Sequence, residues 1–293
     1  MVSRMMKVRT AIHAAIWSTD PKPEVLGRTL RGAASAGFDC VALPLRDPAR
    51  IIPSQVAAAF QAAGLGAIGT AGVPPHSDPG SPDADARARG RDHLELAVAL
   101  ARDCGMTQIN GILYGPLGRA AGPVSDDTIQ RSADTLHHVA EIAETSGIRL
   151  CIELVNRYET ALLNTVESGL TYLADAGHAN LHLHLDTFHM SIEEADVPSA
   201  VLRALPRLGY FELDQSHRGR LDQGSLDLAA MSAPLVAAGY DGLVGVEAFA
   251  RSRLADDHAN ALAIWRNHFD DADGFACNAM DMIRNIFGRR PVA

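Results

Sequence analysis

The chain has 293 residues, 47% of them hydrophobic and 21% charged, with a net charge of −9. That much apolar side chain supports one large core and excludes a disordered chain, and the length is ordinary for one α/β barrel domain over residues 1–293. The acidic balance comes without any Lys/Arg-rich run, so the positive footprint that neutralises nucleic-acid phosphates is missing and no nucleic-acid partner is expected.

The segment Met1–Trp17 has an Arg and a Lys ahead of a short apolar stretch, as a secretion signal does, but Arg9 and His13 interrupt it. A first strand over Thr10–Trp17 is the better reading. The spacing then predicts a helix over Pro23–Ala36 stopped by Gly37, a strand at Cys40–Leu43, a helix over Ser54–Ala63 stopped by Gly64, and a strand at Gly66–Thr70. The Pro/Gly/Ser-rich stretch Ala71–Pro82 reads as a loop. A helix over Asp83–Asp103, stopped by Gly105, leads to a strand at Gln108–Tyr114. Ser125 precedes a helix over Asp126–Thr145, which ends near Gly147 before a strand at Arg149–Leu154. Thr165 caps a helix running to Ala176, strands follow at Leu181–Asp186 and Gly209–Leu213, and a helix over Leu226–Ala238 stops at Gly239 before a strand at Leu243–Glu247. The tail from Ala255 to Phe287 is helical in character and is expected to pack over the body or against a neighbour.

Eight strands alternating with helices imply a parallel sheet. An open doubly wound sheet would advertise a Gly-rich phosphate loop after its first strand, and here "AIWSTDPKP" stands there instead. The expected fold is therefore a (β/α)8 TIM barrel with additional C-terminal helices, and the Ala71–Pro82 loop leaves strand three on its substrate face. No window approaches eighteen apolar residues, so no membrane span is expected. Cys40, Cys104, Cys151 and Cys277 follow no metal-type spacing and read as reduced, mostly buried thiols of a cytoplasmic protein.

Side chains at the C-terminal ends of barrel strands surround the pocket. Four of those ends deliver a carboxylate: Glu153 in "CIELVNRYE", Asp186 in "LHLHLDTFHM", Glu212 in "GYFELDQSHRG" and Glu247 in "GVEAF". Four acids in one partly desolvated pocket repel one another unless protons or a cation intervene. Oxygen-rich coordination suits a hard divalent metal, Mn2+ or Mg2+, with positions left for substrate hydroxyls. His182 and His184 share the side of strand six that bears Asp186 and read as hydrogen-bonded core histidines. Trp17 and Phe249 are candidate apolar walls.

The phrases "ELVNRYE" (Glu153–Glu159), "LDTFHMSIEE" (Leu185–Glu194), "SHRG" (Ser216–Gly219) and "VEAF" (Val246–Phe249) carry a resemblance that covers nearly the whole chain. The sequence resembles the xylose isomerase-like barrels and, within them, the ketose 3-epimerases of the tagatose/psicose type. The resemblance implies a metal held by Glu153, Asp186, Glu212 and Glu247. At the third position it departs from the family, whose "H-F-H-L-G-E" phrase places His where "YFELDQ" places Glu212. That exchange adds a negative charge and turns the site away from nitrogen-preferring Zn2+, Ni2+ or Co2+; alternatively, Glu212 turns aside to pair with a cation such as Arg218. By the same resemblance Glu153 and Glu247 exchange the proton at C3 from opposite faces of the sugar, while Glu159, His189 and Arg218 orient the substrate.

The function so implied is a metal-dependent isomerase or epimerase acting on a free ketose, an inositol-like ketone or a related keto-polyol through an enediolate. The partner is a small carbohydrate, and the relatives suggest a homo-oligomer, a dimer or tetramer. The alternative is a lyase on the same scaffold, decarboxylating an oxo-sugar acid or cleaving a C-glycoside of a 3-oxo sugar. A non-catalytic sugar-binding relative is the third reading. An apurinic-site endonuclease of this superfamily would need His-rich zinc sites and a basic face, and the sequence has neither.

Overall fold

A computed structural model of the chain describes residues 8–288, so the opening of the Met1–Trp17 segment and the two ends of the 1–293 domain lie outside the described residues. Eight strands close into one barrel in sequence order: β1 (Arg9–His13), β2 (Cys40–Pro44), β3 (Gly66–Thr70), β4 (Gln108–Gly111), β5 (Arg149–Glu153), β6 (Leu181–Asp186), β7 (Leu208–Leu213) and β8 (Leu243–Val246). Every pairing is parallel, and β8 closes on β1. The helices are α1 (Pro23–Ala36), α2 (Pro53–Ala63), α3 (Ala84–Asp103), α4 (Asp126–Thr145), α5 (Val166–Ala176), α6 (Thr187–Glu193), α7 (Val197–Ala204), α8 (Leu228–Ala238), α9 (Asp256–Ala261) and α10 (Ala272–Phe287).

The local reasons match the sequence grammar. α1 starts with Pro23 and ends at Gly37, whose φ of 92° gives the left-handed turn that releases the chain toward β2. Thr165 and Ser168 form a reciprocal cap at the start of α5. Outward-facing strand residues and the inner helix faces make one large apolar cluster, while Ala11, Cys40, Ala42, Ile68, Tyr210 and Leu243 fill the inside of the barrel. The barrel is thus solid below its C-terminal mouth.

The structure adds to or alters the sequence reading at four points. β1 stops at His13, because the His13 Nδ1 accepts the Ala15 N–H at 3.1 Å and caps a short 3-10 turn over Ala14–Ile16. Trp17 consequently leaves the mouth, and its Nε1 donates to Asp273 Oδ1 at 2.7 Å on α10. The connection from β6 to β7, for which the sequence reading names no helix, holds two, α6 and α7. The tail is also divided, into α9 at the mouth and α10 against α1, with the chain between them reversing at Ala263 (φ 54°). Finally, the β6–β7 register shifts between Leu183 and His184, which sets His184 opposite Tyr210 and Asp186 opposite Glu212.

Candidate active site

A cavity of about 500 Å3 opens at the C-terminal ends of the strands. Its floor and one wall come from β5–β8 and their loops, with Glu153, His184, His189, Glu212, Arg218 and Glu247; the opposite wall comes from Pro44, Arg46, Thr70–Pro75, Gly111–Ile112 and Leu117, and α9 adds Asp257 and His258. The four carboxylates singled out in the sequence meet here. Asp186, Glu212 and Glu247 bring ligand atoms within 4.8 Å of one another; Glu153, Asp186 and His189 do the same, as do Glu153, His184 and Glu212. Asp186 and Glu212 therefore sit centrally, and Glu153 and Glu247 approach them without falling in a common group.

Asp186 ends β6 and starts α6. One oxygen, Oδ1, accepts the Phe188 N–H at 2.6 Å, whereas Oδ2 is buried with no hydrogen-bond partner. Burial pushes the Asp186 carboxyl up to about 6. Burial likewise raises Glu153 and Glu212 well above the usual carboxylate range, with the neighbouring acids adding to the shift. An orphaned carboxylate oxygen in a ring of crowded acids is short of positive charge, and the all-oxygen donor set fits a hard divalent cation.

Arg218 is the one guanidinium buried in this ring: its Nε donates to Asp214 Oδ2 at 2.8 Å and its Nη2 to Glu247 Oε2. The Phe188 and Phe249 rings flank it, with centroids at 4.9 and 4.6 Å. Its backbone is left-handed at φ 54°. Gln215 fixes the surrounding loop, accepting the Ser216 and Leu226 N–H groups at 2.9 Å each. Arg218 makes no ion pair with Glu212, so the alternative in which Glu212 turns aside to it is not the observed arrangement. Glu212 points into the ring, receiving the Tyr210 hydroxyl at 3.1 Å and lying 3.0 Å from His184 Nε2.

Glu159 lines the mouth, accepts the Asn156 Nδ2–H at 3.0 Å and stands 4.0 Å from Arg218 Nη1. His189 is buried with Nδ1 accepting the Asn156 N–H (3.2 Å) and facing its side-chain amide (2.8 Å). Nε2 is thereby left to carry the proton, and it faces Glu153 Oε1 at 3.5 Å. The seven polar residues named from the sequence, Glu153, Glu159, Asp186, His189, Glu212, Arg218 and Glu247, thus come together. Phe249 lines the mouth as expected, and Trp17 does not.

Several pocket residues were not nominated. His184 is no mere core histidine, since it touches Glu212 and lies 3.7 Å from Glu153. His13 reaches within 3.9 Å of Glu247, and burial lowers its pKa. Asp214, buried with Arg218, carried a readable signal in its i,i+4 spacing. His93 and His258 stood in helical contexts and gave none.

Comparison with known proteins agrees with this geometry. The family described as "Xylose isomerase-like TIM barrel" matches residues 30–268. An L-ribulose 3-epimerase from Mesorhizobium japonicum is 38% identical over 275 residues, covering 94% of this chain and 93% of the relative. A ketose 3-epimerase from Arthrobacter globiformis is 33% identical, covering 95% and 96%. The crystal structure of a D-allulose 3-epimerase from a Methylomonas species in complex with D-allulose superposes with a TM-score of 0.92 at 33% identity, over 96% of this chain and 97% of that one. Among the described residues no helix is long and apolar enough to cross a membrane. In barrel topology, in the ring of strand-end carboxylates and over nearly its whole length, this chain is a member of the xylose isomerase-like TIM barrel family.

Proposed function

We propose that this protein is a divalent-metal-dependent ketose 3-epimerase acting on a free ketose or related keto-polyol. The observation that supports the reading is that Glu247 gathers with Asp186 and Glu212 within 4.8 Å, while Glu153 gathers with each of those two in separate groups that leave Glu247 out. Glu153, Asp186, Glu212 and Glu247 would hold the cation, Mn2+ or Mg2+, whose charge polarises the substrate carbonyl and makes the adjacent C–H acidic. Glu153 and Glu247 then stand on opposite faces of C3. One takes the proton to leave an enediolate, the other returns a proton to the far face, and the roles exchange with the direction of reaction.

The chain's own groups tune that exchange. Burial raises the proton affinity of Glu153, so it holds an abstracted proton more readily than an exposed glutamate would. His189 Nε2 orients its Oε1 edge. Arg218 donates to Glu247 and, with Glu159, presents polar atoms to substrate oxygens. Phe249 and the Val73–Pro75 loop narrow the mouth against water. The same reading takes the protein as a cytoplasmic homo-oligomer, a dimer or tetramer; four unpaired thiols suit a reducing compartment.

The test is incubation of a ketose panel with the Mn2+-loaded protein in heavy water, followed by NMR. Solvent deuterium at C3 of both epimers, with no loss of carbon, is the expected outcome, and Glu153→Gln and Glu247→Gln should each lower the rate by about 10²–10⁴-fold. Release of CO2 or of an aglycone instead would replace the epimerase by the lyase.

A further inference from the structure

Beneath the carboxylate ring lies a second layer of polar groups that the proposed chemistry does not use. His184, 2% exposed, ends its side chain between two carboxylates, with Nε2 at 3.0 Å from Glu212 Oε2 and Nδ1 at 3.7 Å from Glu153 Oε2. Tyr210, 1% exposed, donates its hydroxyl to the other oxygen of Glu212. The two rings pack edge to face, 4.8 Å between centroids and 79° between planes. Both oxygens of Glu212 are therefore held from below, one by Tyr210 two residues earlier on β7 and the other by His184 on the neighbouring β6.

The backbone is arranged around this contact. The register shift at Leu183/His184 pairs His184 with Tyr210. Gly245, which pairs with Glu212 across β7–β8, leaves the space that the Tyr210 ring occupies: a Cβ there would lie 1.8 Å from the Tyr210 Oη. A carboxylate hydrogen-bonded at both oxygens is fixed in rotation, and donors that share its charge reduce its repulsion of Asp186 and Glu247.

We infer that His184 and Tyr210 are positioning residues that clamp Glu212 as an anionic ligand, and that this clamp is what allows a carboxylate to serve at the third position of the ring. The inference rests on the metal-dependent reading above. In it, the His184 Nε2 carries a proton and donates to Glu212 in the loaded protein, and neither residue touches substrate.

Mn2+ affinity, measured by calorimetry and by the electron paramagnetic resonance of the bound ion, tests this without any turnover. Tyr210→Phe, which removes one oxygen, and His184→Met, which removes the donor, should each weaken Mn2+ binding about 10–100-fold and broaden the spectrum of the bound ion. His184→Gln, whose amide nitrogen reaches the place of the imidazole Nε2, should recover most of the loss. In a Glu212→Gln background, Tyr210→Phe should change Mn2+ affinity less than threefold. Unchanged Mn2+ affinity in folded Tyr210→Phe overturns the clamp while leaving the epimerase reading intact. Wild-type protein that binds no Mn2+ or Mg2+ overturns the metal-dependent reading itself, and the clamp with it.

Discussion

Replacing Glu212 by Gln in the metal-free protein should stabilise it, and the gain should grow with pH. Glu212 shares its 4.8 Å neighbourhood with Asp186 and Glu247. Two charges that far apart repel by about 3.5 kcal/mol at an effective dielectric of 20. Burial first, and its acidic neighbours second, push the Glu212 carboxyl well above the usual carboxylate range. For an acid raised in the folded state, stability is complete below the unfolded pKa and is lost as pH rises toward the folded one. The raised Glu212 carboxyl therefore costs stability that grows as pH rises above its unfolded value of 4.5, by at most about 1.4 kcal/mol per pH unit. Glutamine keeps the shape without that cost. Thermal unfolding in excess EDTA should therefore show nearly equal midpoints at pH 5, and at pH 8 a variant that melts several degrees higher, at roughly 2 °C per kcal/mol for a chain of this size. Mn2+ at a hundredfold excess over its dissociation constant should raise the wild type by about 2.7 kcal/mol and narrow the gap. A variant that melts at or below the wild type at pH 8 in EDTA would show that Glu212 bears no repulsion, and the four-carboxylate site would have to be abandoned.

Gly245→Ala should be severely destabilising, by about 3 kcal/mol or more, because the new Cβ overlaps the Tyr210 ring and not just its hydroxyl. Adding Tyr210→Phe should not rescue it, as denaturant midpoints will report. Arg218→Lys loses the fork that joins Asp214 and Glu247 between two aromatic rings. A fall in kcat/KM of roughly 10–100-fold is expected, corresponding to about 1.5–3 kcal/mol for a hydrogen bond to a charged group; activity within twofold of wild type would remove Arg218 from the substrate site. Of the four cysteines only Cys277 is exposed. Titration with a chromogenic disulfide should count one fast thiol in the native protein and four after denaturation, and a second fast thiol would contradict the packing of Cys40, Cys104 and Cys151.

Much of this architecture could be read along the chain because its signals are local. Gly37, Gly64, Gly147, Gly177 and Gly239 mark where helices hand over to strands, and the ends of the last four strands each bring an acid. Glu212 stands out in the sequence alone, as a carboxylate where the family phrase has His. What stayed hidden depends on contacts between distant segments. Whether His184 is core or site turns on a register shift against β7 that no periodicity records. Trp17 was misplaced because His13 caps a turn and redirects the chain, a local event whose outcome is a contact 256 residues away. α6 escaped notice because Asp186 serves at once as strand end and helix cap, so no turn phrase separates the two.

The two walls of the cavity come from different halves of the chain. Every carboxylate of the ring, with Arg218 and Asp214, lies between Glu153 and Glu247, while the facing wall is drawn mainly from residues 44–117. The carboxylate ring and the wall that faces it are thus encoded on separable stretches of gene. A crossover near residue 120, between β4 and α4, would exchange one wall and leave the other whole, so new sugar preferences are open to recombination as well as to point mutation.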